Sequence, residues 1–198
     1  AIFAVIIFLF IRLMTSEPNS ARDYLQDVKI GGTTKRWQGA FELSKLLSNP
    51  KMVPKDEMFV NEMISTFKYA SNDRDARIQQ YLAIAMGATK DERYTKTLID
   101  AMSGADEGVI QACAFALGNI GKNDAIEPLK ALLESTEPQI RLHAVIAIGK
   151  IGGPSTAPHL KKMLSDPEPN VRWDASIALA KQKDSSGRSI LLDLLDRK

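Results

Sequence analysis

In the stretch EPQIRLHAVIAIGKIG, residues 137–152, the apolar residues Ile140, Ala144, Ala147, Ile148 and Ile151 recur at spacings of three and four. That rhythm lays them on one face of a helix. Gly152 and Gly153 end it, because glycine accepts the left-handed conformation that closes many helices. A second helix is predicted over STAPHLKKMLSD, with Leu160, Met163 and Leu164 facing in and Lys161 and Lys162 facing water. The turn residues DPEPN then close the unit before Val171 opens the next.

The same unit is written several times. ALGNIGKNDAIEPLKALL at 116–133 returns as AIGKIGGPSTAPHLKKML at 147–164, a step of 31 residues that sets Gly118 on Gly149 and Gly121 on Gly152. The step also carries Ile78 to Val109, Ile140 and Val171, and Ala85 to Ala116, Ala147 and Ala178. Met86, Leu117, Ile148 and Leu179 keep it, as do Leu98, Leu129, Leu160 and Leu191, and Met102, Leu133, Leu164 and Leu195. Further upstream, RWQGAFELSKLL at 36–47 aligns with RWDASIALAKQK at 172–183, an offset of 136, or four steps of 31 plus 12. The dozen extra residues are expected in the loop SNPKMVPKDE and in a longer second helix around Met58 to Phe67. Five helix pairs result, at roughly 34–70, 73–103, 105–134, 136–165 and 167–197. Repeats of this length mark solenoids, in which each unit buries its apolar face only against its neighbours. The alanine column with Gly118 and Gly149 is expected to let paired helices approach closely.

These residues carry a resemblance. The pattern P-x-[IV]-R-x-x-A-x-x-A-[IL]-G-K-I-G-x-x-x-x-x-P-x-L-x-x-[ML]-L at 138–164, varied in the neighbouring units, resembles the short bacterial HEAT repeat, including its PBS-lyase-like subgroup. It covers Thr34 to Lys198 and departs from the pattern at Ile110, where Arg141 and Arg172 stand later, and at Ala180, where a glycine is expected. The resemblance implies an all-α solenoid, a right-handed superhelix of antiparallel helix pairs with an extended concave face. It also implies a scaffold or adaptor and specifies no activity.

Composition agrees with helix and adds little chemistry. Of 198 residues, 44% are hydrophobic and 25% charged, and 26 basic against 24 acidic side chains leave a net charge of +2. No basic or acidic block announces a polyanion or polycation partner. The single cysteine, Cys113, lies in the apolar pattern VIQACAFAL and reads as a buried structural thiol.

The first fourteen residues are different. AIFAVIIFLFIRLM is apolar without interruption from Ala1 to Ile11, which no helix in water sustains uncovered. A bilayer span needs about 20 apolar residues. The absence of an initiator methionine before Ala1 suggests further residues upstream, so residues 1–14 are expected to be a membrane anchor, with Ala1, Ile2, Phe3, Val5, Ile6, Phe8, Leu9, Phe10 and Ile11 against lipid. An uncleaved signal and a buried terminal helix are the competing readings, and no A-x-A-like cleavage site follows. Residues 15–33, with the short amphipathic ARDYLQDVKI, are expected to be a linker between anchor and solenoid. Arg12, Arg22 and Lys29 downstream of the apolar run favour a cytoplasmic body on a single-pass protein of a bacterial inner membrane.

Candidate catalytic residues are few. His143 and His159 sit in no metal-binding pattern, and the chain lacks the His-Glu pairs that HEAT-repeat di-iron hydroxylases place at repeated positions. It also lacks the acidic and aromatic pocket that a phycobilin lyase would need, and GNIG and GKIGG lack the P-loop spacing. An enzyme, a cofactor, a metal and a small-molecule substrate are therefore not expected. The candidates that remain would bind a partner: Trp37 and Trp173 at equivalent positions, Arg141 and Arg172, and Lys130, Lys161 and Lys162. Each has a structural alternative. The tryptophans can serve packing, the arginines can tie turns together through Glu137 or Asp166, and the lysines alternate with Glu127, Glu134 and Asp166. A DNA-binding groove needs an uninterrupted cationic stripe, so nucleic acid is not expected. The reading is a non-catalytic, membrane-anchored scaffold, an accessory subunit that meets integral-membrane proteins of a transporter or respiratory assembly.

Overall fold

The computed structural model describes residues 19–196. The expected anchor, residues 1–14, lies outside them, and among the described residues no helix is long and apolar enough to cross a membrane. The described chain is a row of helix pairs. A leading helix α1 (Ala21–Ile30) is followed by first helices α2 (Thr33–Leu47), α4 (Ala76–Thr89), α6 (Glu107–Ile120), α8 (Pro138–Ile151) and α10 (Pro169–Lys181). Between them lie second helices α3 (Glu57–Ala70), α5 (Thr95–Ala101), α7 (Ile126–Leu132), α9 (Ala157–Lys162) and α11 (Arg188–Leu195). Short 3₁₀ turns, such as Glu92–Tyr94 and Asn123–Ala125, lead into α5 and α7.

Local chemistry sets these boundaries. Four of the five first helices start at one repeated acidic position, held in α2 by Gly32: the Asp75 and Asp106 carboxylates accept hydrogen bonds from the N–H groups of Arg77 and Gly108. In α8 and α10 the acids Glu137 and Glu168 precede prolines at the first helical position, where a missing N–H costs nothing. At the other end, Gly121 and Gly152 have φ of 77° and 68°. The same repeat position is Lys90 (φ 57°) after α4 and Lys183 (φ 63°) after α10, two side chains held where glycine is favoured.

The core runs the length of the array. Leu43, Leu82, Leu117, Ile148 and Leu179 are fully buried, and so are Leu98, Leu129 and Leu160 from the second helices. Each first helix packs on the next, α2 on α4, α4 on α6, α6 on α8 and α8 on α10. The glycines serve this contact. An added Cβ at Gly87 would lie 2.5 Å from the Ala116 Cα, and one at Gly118 would lie 2.7 Å from the Ala147 Cα. At Gly149 it would meet the Ala178 Cβ at 2.6 Å. The close approach is therefore between first helices of neighbouring repeats, not within a pair, and it makes the first-helix row the tight side of the array. Ala180 is exposed, so among the described residues no helix demands glycine there.

The stretch expected as a linker, residues 15–33, contains the short amphipathic helix expected in it. This helix, α1, packs against α2 and α3, with Ala21, Leu25 and Val28 buried. The apolar face of its amphipathic pattern is covered by the first repeat. Arg22–Asp56, Lys29–Glu62 and Lys35–Asp27 ion pairs rim the joint.

Candidate functional site

Arg141 was expected to bind a partner or to tie turns together, and the structure assigns it the second task. Its guanidinium donates to both carboxylate oxygens of Asp166, at 2.8 and 2.9 Å, and to the carbonyls of Ser135 and Thr136 at 2.9 and 3.2 Å. It is only 9% exposed. Burial opposes the charge of Asp166, but the Arg141 guanidinium and the Glu168 N–H outweigh it and hold the carboxyl below its usual range. Arg172 makes the equivalent backbone contacts, to the carbonyls of Asp166 and Pro167 at 2.7 and 2.9 Å. It is half-buried and ties the turn through carbonyls, where an acidic side chain was expected. Arg36 does the same in the first repeat, holding the Val28 carbonyl and Asp73.

The candidate lysines are exposed and paired. Lys130 meets Glu127 at 3.1 Å, Lys162 meets Glu134 at 2.6 Å and Lys161 meets Asp184 at 2.8 Å. Carboxylates thus neutralise the row that phosphate would need. Trp37 is half-buried against the core, with the Arg77 guanidinium 4.6 Å above its ring. Trp173 is half-buried at the equivalent place on α10. His143 Nδ1 lies 2.8 Å from the Gln139 carbonyl. Among the described residues no three His, Cys, Asp or Glu side chains gather into a metal-holding group.

A surface that the sequence reading passed over is more distinctive. Ile84, Phe115, Ile146 and Ile177 follow one another at 31 residues, and Phe41 is their counterpart in α2. All five are half-buried or exposed on the first-helix row, Phe115 at 36% and Ile177 at 38%. Tyr81 meets Phe41 edge-on, ring centroids 5.2 Å apart. One turn further along, Lys45, Lys150 and Lys181 flank the row, with Lys45 5.2 Å from the Phe41 ring and Lys150 4.3 Å from the Phe115 ring. Partial burial and the neighbouring Lys181 lower the Lys150 pKa. The row was legible in the 31-residue register, at positions between the buried columns. An apolar stripe rimmed by polar residues is the usual mark of a protein contact.

The fold and this surface define a class: a helical-repeat solenoid suited to protein–protein interaction. The family model for HEAT repeats matches residues 65–141 and 126–198, more than half of the chain, and the chain belongs to that family. No curated protein matches the sequence. Among solved structures, the chain is similar to the CpcE–CpcF complex of phycocyanin lyase from Nostoc sp. PCC7120, with TM-score 0.72, 18% identity and coverage of 91% of this chain and 72% of that one. It is also similar to a designed armadillo repeat protein in complex with the peptide (KR)4, with TM-score 0.60, 17% identity and coverage of 81% and 80%. An engineered protein matches with TM-score 0.61, 19% identity and coverage of 89% and 85%. At these identities the likeness is one of fold.

Proposed function

We propose that the chain is a non-catalytic scaffold whose first-helix row receives a protein partner, and that its apolar N-terminal residues 1–14 hold it at a membrane. The observation that carries the reading is the row Phe41, Ile84, Phe115, Ile146 and Ile177, one large apolar side chain per repeat left partly open to water. Five such positions, one per repeat, form one elongated contact, and closing it removes apolar area from water. In this reading the chain is an accessory subunit of a larger membrane complex, such as a transporter or respiratory assembly. It spans a bacterial inner membrane once, with the solenoid on the cytoplasmic side. Tethering raises the effective concentration of the solenoid near its partner.

The test is a mild-detergent purification of the tagged full chain from its native membrane, beside a chain beginning at Thr15 and a full chain carrying Phe115→Asp and Ile146→Asp. Integral-membrane proteins retained by the full chain and lost from the shorter one support the accessory-subunit reading. Loss of a partner from the double variant, with the helical circular dichroism unchanged, supports the apolar row. Unchanged capture by both altered chains would sink the proposal.

A further inference from the structure

The arginine that ties the turns together is missing from the second repeat, and a cavity stands in its place. At the 31-residue step Arg141 and Arg172 correspond to Gln79, and Asp166 corresponds to Gly104. Around these two residues opens a cavity of about 430 Å³. Phe67, Ala70, Ala101 and Val109 give it apolar walls, and its charged lining is Asp73, Asp100 and Asp106 against Lys68. In the third repeat Ile110 occupies the arginine position instead, opposite Ser135.

Two polar side chains line this cavity with their polar atoms still within reach of its solvent. Gln79 is 8% exposed and Thr97 is 7% exposed, and neither side chain makes a hydrogen bond among the described residues. The backbone acceptors are in place as well. Arg141 uses the carbonyls six and five residues before it, and Arg172 does likewise. The corresponding carbonyls for position 79 are those of Asp73 and Arg74, and no donor among the described residues reaches them.

We propose that this cavity receives an arginine side chain presented by a partner polypeptide. Acceptors for a guanidinium are present: the Asp73 carbonyl, the Gln79 and Thr97 oxygens and the Asp106 carboxylate. Asp106 is in no ion pair among the described residues, whereas Asp73 and Asp100 are already paired with Arg36 and Lys96. A guanidinium has five donors and no acceptor, which matches such a lining. The apolar walls suit the aliphatic stem of the same side chain. The partner thereby supplies in trans the tie that the first, fourth and fifth repeats supply themselves. The site is separate from the apolar row, and its test does not depend on that row.

The experiment follows the backbone and side-chain amide signals of Gln79, Thr97 and Gly104 by NMR in the full chain while blocked amino acids are added. N-acetyl-arginine amide is expected to give saturable shifts at these three residues, and N-acetyl-citrulline amide to bind at least about tenfold more weakly, because the charge is gone. Gln79→Arg places a guanidinium in the cavity from within, so it is expected to abolish the response and to leave the melting temperature at or above that of the parent. Gln79→Leu keeps the packing volume, removes the amide oxygen and is expected to weaken binding with the fold retained. Equal binding of arginine and citrulline derivatives, or no saturable shift at these residues in the parent chain, overturns the proposal. A response to free L-arginine with none to the blocked amide would make this a small-molecule site and overturn the partner assignment.

Discussion

Single residues in this array answer to their repeat position. Lys90 and Lys183 adopt positive φ because the chain must turn there in every repeat, and Gly121 and Gly152 hold the equivalent places without a Cβ. Lys90→Gly and Lys183→Gly are each expected to stabilise the fold by about 1 kcal/mol, read as a rise in melting temperature. The Arg141–Asp166 pair is different, because its side chains are 10% and 3% exposed. Arg141→Ala strands a buried carboxylate and is expected to cost about 3 kcal/mol in urea unfolding. The sign with pH follows from Asp166, whose carboxyl is held below the ordinary value of about 3.9 in the fold. Its contribution is complete above about pH 4 and disappears as pH falls through the lowered folded value. Asp166→Asn should flatten that part of the acid limb of a stability profile, and an unchanged limb would refute the assignment.

Between elements, the contact that repeats is glycine against alanine. Gly118 lies under Ala147 so closely that a side chain must push the two helices apart. Gly118→Val is expected to destabilise by about 2 kcal/mol through overpacking, despite valine's better helix propensity. Ala180 is the register-matched control, exposed at the equivalent position of α10. Ala180→Gly should cost only about 1 kcal/mol, the propensity difference alone. Thermal unfolding of the two variants side by side separates packing from propensity. The leading helix teaches a related lesson. ARDYLQDVKI has an amphipathic pattern that fits equally a free surface helix and a packed one, and only the presence of α2 and α3 beside it decides.

Across the whole molecule, buried columns join the repeats into one continuous core, and Cys113 sits near its middle. Burial pushes its thiol pKa up to about 12, so the nucleophilic thiolate is scarce at neutral pH. Ellman's reagent should therefore label Cys113 only as fast as the surrounding helices open, with the rate rising in urea. Labelling at the rate of a free thiol at pH 8 would refute that packing. Much of this architecture was already written in the chain. A 31-residue step, helical spacing within it and glycines at its turns determine the helix pairs and most of the residues they bury, because each repeat must satisfy the same neighbour geometry. In α11, where the array has no following repeat among the described residues, Leu191 is half-buried and Leu195 exposed. What the tertiary structure alone decided was which polar and apolar groups stay uncovered. Arg141 and Arg172 look alike in sequence and both hold turn carbonyls, yet Arg141 also closes on a carboxylate. The row from Phe41 to Ile177 is as apolar as the core but lies open, and Gln79 is buried without a partner. Exposure and pairing depend on how helices stack across repeats, and periodicity along one chain does not contain that distance.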